Sequence, residues 1–121
     1  MKPSEIITQV AQQHGIDPKG LASGITNALK QKNTLLLQKN NSLMVITMFK
    51  PKMAEIHLFT VEKGLALAKS LKEFMREIKN EEHIDKVYVK VDNDKIVPFA
   101  KSIGVKFVKS DLPQFQFMAN E

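Results

Sequence analysis

The sequence predicts a mixed α/β (α+β) fold: an antiparallel meander followed by a β-α-β crossover, with helices on both faces of one sheet. Three observations predict it. Ala54–Val61 alternates, with Ile56, Leu58 and Thr60 on one side and Glu55, His57 and Phe59 on the other, the period of a strand. Leu65–Lys79 changes to helical spacing, with Leu67, Leu71, Phe74, Met75 and Ile78 on one stripe. Val87, Val89 and Val91 return to the period of two, between Tyr88 and Lys90.

The remaining elements follow in order. Ser4–His14 carries an apolar stripe of Ile6, Ile7 and Val10 and is ended by Gly15. Asp17-Pro18 restarts a helix to about residue 32, with Asp as N-cap and Pro in the first turn, where a missing N–H costs nothing. Thr34–Gln38 and Leu43–Phe49 read as a hairpin around Lys39-Asn40-Asn41-Ser42, because Asn tolerates positive φ. Pro51 breaks the ladder before the strand at 54–61. After the helix at 65–79 come a strand at 86–91, a helix at 94–103 closed by Gly104, and strands at 105–109 and about 114–119. One domain is expected over 1–121, helical over 1–32 and with its sheet core over 34–119.

Composition narrows the function classes. No apolar run approaches the roughly 20 residues of a membrane span, so no membrane role is expected. The chain has no Cys, which removes disulfides, thiolate metal sites and a Cys nucleophile, and makes the cytoplasm the expected compartment. Its three His, at 14, 57 and 83, have no metal-ligand spacing. Residues 1–54 hold seven Lys against Glu5 and Asp17, a net +5, whereas in 55–121 ten Lys and Arg76 balance eleven acids. The basic half is either ordinary solubilising Lys or a face for a phosphate, nucleic acid or acidic protein. A single Arg, one Tyr and no Trp argue against nucleic acid. Lys69, Lys72, Arg76 and Lys79 are interleaved with Glu73 and Glu77, whose spacing allows i,i+3 and i,i+4 pairs on a solvated helix face.

The run from Val87 to Phe107 (strand, Asn93, short helix, Gly104, strand) resembles the last part of the GNAT (GCN5-related N-acetyltransferase) fold, and the element order from residue 34 onward is similar to its core. The family's usual first strand is not visible ahead of the first helix. The resemblance is strongest to the short GNAT-like proteins of tailed phages, which implies a chain working in host cytoplasm or in a virion. It further implies acetyl-CoA as cofactor, an amine acceptor, and a phosphate-holding loop where Thr60-Val61-Glu62-Lys63-Gly64-Leu65-Ala66 stands. Backbone amides at a helix start make an anion nest, and Gly lets the backbone approach closely. On that basis Thr60, Val61, Lys63, Gly64, Leu65, Ala66 and Asn93 are the cofactor-binding candidates. The family's Gln/Arg is missing from the loop, and Glu62 brings a negative charge to the phosphate position. An ordinary strand-to-helix turn that uses Gly64 for a tight bend fits the same residues.

The resemblance places the general base on the 54–61 strand, where Glu55 and His57 share one face and are the catalytic candidates. The position of the family's general-acid Tyr, seven after Asn93, is Ala100, which has no ionisable group. Two functions follow: an acyl-CoA N-acyltransferase acting on an amine, or a non-catalytic GNAT-like binding or assembly module with a protein or nucleic-acid partner. The acceptor, the partner and the oligomeric state are left open.

Overall fold

The computed structural model describes residues 1–89, 100–102, 104–112 and 117–120. Two helices, α1 (Pro3–Gln13) and α2 (Pro18–Leu29), precede the meander β1 (Thr34–Lys39), β2 (Ser42–Lys50) and β3 (Met53–Thr60). Helix α3 (Gly64–Asn80) leads to β4 (Lys86–Val89), and β5 (Lys106–Lys109) and β6 (Phe117–Asn120) close the chain. Residues 100–102 are helical, as expected of the end of the 94–103 helix; the rest of that helix, with Asn93, lies outside the described residues.

The six strands form one mixed sheet in the order β1-β2-β3-β4-β6-β5. The meander is antiparallel, β3 and β4 are parallel across α3, and β6 lies antiparallel between β4 and β5. Asn40, at φ 54°, makes the tight β1–β2 turn, and Lys52, at φ 64°, helps make the β2–β3 turn next to Pro51. A register shift between Met48 and Lys50 places a bulge at Phe49.

The strand period decides which helix covers which face. On β2, Met44 and Ile46 pack with Ala54 and Ile56 of β3 beneath Leu71, Phe74 and Ile78 of α3. Leu43 and Val45 point the other way, against Ile6, Ile7 and Val10 of α1 and Ile25 of α2. β2 is therefore buried on both faces, and helices cover both sides of the sheet as the sequence pattern requires. At about 1.5–3 kcal/mol per fully buried large apolar side chain, these two clusters dominate the stability of the fold.

Candidate active site

The parallel pair β3–β4 stands at the centre of the sheet. β3 and β4 are in register at Met53↔Lys86, Ala54↔Val87 and Glu55↔Tyr88. Lys86 N–H donates to the Lys52 carbonyl at 3.1 Å, so in this parallel ladder Lys86 and Tyr88 turn their backbone groups toward β3, and the chain that follows Val89 lies outside the described residues. Val89 pairs with Phe117 on its other side. Among the described residues, β3 from Ile56 to Thr60 has a ladder partner only in β2.

β3 runs on through Val61, Glu62 and Lys63 into α3. Val61 is half-buried and packs against the α1–α2 cluster. Lys63 is extended, at φ −140° and ψ 161°, and gives the helix no side-chain cap. Gly64 turns at φ +57°, a left-handed conformation that favours glycine, and the space where a Cβ would point is open. Lys63, Gly64, Leu65 and Ala66 are all exposed, Leu65 at 90%. Amides in the first turn of a helix have no partner within the helix. No described residue accepts from those of Gly64, Leu65 or Ala66.

Glu62 corrects the sequence expectation. Its charge does not stand at the mouth of the turn. Its Oε1 accepts from the hydroxyls of Ser42 on β2 and Ser70 on α3, both fully buried. Since Ser42 gives its proton to Glu62, the contact between Ser42 Oγ and Thr60 Oγ1 has Thr60 as donor. Thr60 Oγ1 in turn accepts the Glu62 N–H at 2.9 Å, and Asn40 Nδ2 donates to Ser70 Oγ at 3.0 Å. Every hydroxyl proton in this cluster has an acceptor, and no described buried side-chain polar atom lacks a partner. Thr60, a candidate for the cofactor, is committed to this internal network. Glu77 likewise departs from expectation: it pairs with Lys39 of β1 rather than with the basic stripe of its own helix.

Glu55 and His57 do meet. His57 Nε2 lies 2.7 Å from Glu55 Oε1, with the carboxylate 18% and the imidazole 37% exposed. Both sit on the α1–α2 side of β3, the face whose Phe59 packs with the α1–α2 cluster. No spacing rule along the chain places Tyr88 beside them. Residues paired across strands share a face, so the Glu55↔Tyr88 register puts the phenol ring on the same side. Tyr88 is fully buried, lies edge-on to Phe49 at 5.4 Å, and donates from its hydroxyl to Asp111 Oδ1 at 3.1 Å. Burial first, and the Asp111 carboxylate second, push its pKa above the ordinary phenol value. Only strand pairing reveals this neighbour, because Glu55, Tyr88 and Asp111 are far apart in the chain. Ala100 is fully buried and packs in the α3-side core.

The fold defined by this mixed sheet, its crossover helix and its strand order is GNAT-like. The chain is similar to a point mutant of the spermidine N-acetyltransferase SpeG from Vibrio cholerae, with 11% identity over 85% of this chain and 72% of that one and a TM-score of 0.53. It is also similar to a chimeric spermidine N-acetyltransferase built from Vibrio cholerae SpeG and hSSAT, with 9% identity over 98% of this chain and 90% of that one and a TM-score of 0.58. At such identities the likeness is one of fold. No protein-family model matches the sequence, and no curated protein matches it either.

Proposed function

We propose that the protein is an acyl-CoA-dependent N-acyltransferase that moves an acetyl group to an amine. The observation that carries this reading is the Glu55–His57 contact on β3, a carboxylate–imidazole pair on the strand that runs directly into the start of α3. The fit to acetyl-CoA rests on that helix start. Three amides are unpaired among the described residues, Gly64 presents open space, and the nearest carboxylate, Glu62, is held elsewhere by two serines. The positive end of the α3 dipole and the exposed Lys63 suit a pyrophosphate there.

When bound, acetyl-CoA supplies an activated acyl thioester. The chain's own groups do the rest. His57 accepts the proton of the attacking amine, and Glu55, at hydrogen-bond distance, fixes the ring orientation and stabilises the imidazolium. Tyr88 already gives its proton to Asp111 and is the floor of the site rather than its acid. The acceptor is an amine, as spermidine is for the named neighbours. A polycation gains no long-range attraction to a chain of net charge +5, so a neutral or anionic amine suits this protein better.

Calorimetry tests the reading: saturable binding of CoA and acetyl-CoA is expected, and no heat at millimolar ligand removes it. Thiol release in the presence of an amine is expected to fall at least a hundredfold in Glu55→Gln and His57→Ala. The burial of Ala100 favours a second reading. In it, the fold is kept as a non-catalytic binding or assembly module, in keeping with the resemblance to short phage proteins of the infected cell or virion. Acetyl transfer lost in those two variants rules this out. A nucleic-acid partner for such a module predicts affinity that falls steeply with salt.

A further inference from the structure

The two edges of the sheet are β1 and β5, and they are unlike. β5 is four residues long with a lysine at each end, a pattern that discourages edge-to-edge pairing. β1, Thr34-Leu35-Leu36-Leu37-Gln38-Lys39, has three consecutive leucines, all partly exposed, and no charge or proline before its last residue.

The hairpin turn shows which backbone groups this edge leaves open. A two-residue turn at Asn40-Asn41 makes Lys39↔Ser42 a hydrogen-bonded pair, and alternation extends this to Leu37↔Met44 and Leu35↔Ile46. The next position in phase agrees: Met48 N–H donates to the Asn33 carbonyl at 2.8 Å. Thr34, Leu36 and Gln38 therefore turn their N–H and C=O groups away from β2. The Thr34 N–H reaches the Gln31 carbonyl at 3.2 Å; no described residue takes up the outward groups of Leu36 or Gln38.

We propose that β1 pairs antiparallel with β1 of a second copy of this chain, about a two-fold axis at Leu36, joining the two sheets into one. In that register Leu36 exchanges both backbone bonds with Leu36 of the second copy. The Gln38 N–H donates to the Thr34 carbonyl opposite it, and Leu35 lies beside Leu37 of the second copy. A two-fold interface must complement itself, and this one does at three levels. The open backbone groups match in phase, and leucine meets leucine. The groove flanking the edge on the α3 side holds both Arg76 and the acids Glu73, Glu77 and Glu81, so its charges suit its own two-fold copy. A stable dimer buries about 800 Å² per partner, more than one strand provides. That groove, and the apolar one on the other side lined by Ile7, Ala22, Leu29 and Leu36, lie where the remaining area is needed.

Sedimentation equilibrium of the whole chain is expected to show a dimer. Gln38→Pro removes an outward N–H from an exposed residue while sparing the ladder to β2, and is expected to raise the dimer dissociation constant at least tenfold with an unchanged circular dichroism spectrum. Because the chain has no cysteine, Leu36→Cys introduces one thiol per copy. Hydrogen-bonded antiparallel pairs have Cα atoms about 5.5 Å apart, within disulfide reach. Mild oxidation is therefore expected to give a covalent dimer from Leu36→Cys but not from Val108→Cys on the opposite edge. A monomer at every concentration overturns the proposal, whatever else that edge then binds. So does a folded Gln38→Pro variant that dimerises as tightly as the parent, or equal cross-linking from both edges.

Discussion

The N-termini of α2 and α3 solve the same problem in opposite ways. Asp17 caps α2, accepting from the amides of Lys19 and Gly20 at 3.3 Å each, with Pro18 in the first turn. α3 begins behind Lys63, which offers no acceptor, and Gly64, which takes a left-handed turn. A missing cap typically costs about 1 kcal/mol. The stability of α3 must therefore come from elsewhere: Leu71, Phe74 and Ile78 in the core, and the link from Ser70 through Glu62 to Ser42. The difference teaches that one helix end is closed by its own chain, whereas the other has amides with no partner among the described residues and a positive dipole end, the feature an anion-binding enzyme site needs.

The comparison breaks most visibly at Glu62. Glu62→Ala removes the charged acceptor of two buried hydroxyls; Ser70 retains the Lys39 carbonyl at 3.4 Å and Ser42 can turn its proton to Thr60 Oγ1, both weaker than a carboxylate. Loss of about 2–3 kcal/mol is expected, read as a lower urea midpoint at constant slope. A loss below about 0.5 kcal/mol would show that the serine–carboxylate hub does not anchor α3. Gly64→Ala comes next. The space is open, so no clash is expected, but an L-residue at positive φ costs about 1–2 kcal/mol. A neutral result would mean that the turn relaxes to a negative φ and that its left-handed shape is not needed.

These positions also show what could be read from the chain before its structure. The faces of β3 were legible, because a period of two assigns Ile56 and Glu55 to opposite sides without knowledge of the neighbours. The turn at Gly64 and the buried stripe of α3 were legible for the same local reason. The direction of Glu62 was not: its two acceptor contacts come from Ser42, on another strand, and Ser70, two turns into the helix, and no spacing rule joins them. Nor was the insertion of β6 between β4 and β5, since strand order in a sheet is not order along the chain. Tyr88 was visible as a strand residue, but its place beside Glu55 exists only once β4 has chosen β3 as its parallel neighbour. Local periodicity carried the elements; long-range pairing made the site.

The smaller effects separate the two helix ends by function. Asp17→Ala uncovers the Lys19 and Gly20 amides and is expected to lower stability by about 1 kcal/mol, with CoA affinity unchanged because the α3 amides proposed to hold pyrophosphate are left as they are. Lys63→Asp makes the opposite change. It gives α3 the cap that α2 already has and places a negative charge at the positive end of its dipole, an expected gain of about 0.5–1 kcal/mol. For a chain of this size that is a rise of a few degrees in Tm by calorimetry. The same carboxylate competes for the amides proposed to hold pyrophosphate and removes a nearby cation, so CoA affinity is expected to fall at least tenfold. A variant that is more stable and binds CoA less well supports the assignment of the open helix end to ligand binding, a trade of stability for function at one residue. A variant that is more stable and binds CoA equally well would place the ligand elsewhere and leave the bare start of α3 as an unoptimised helix end.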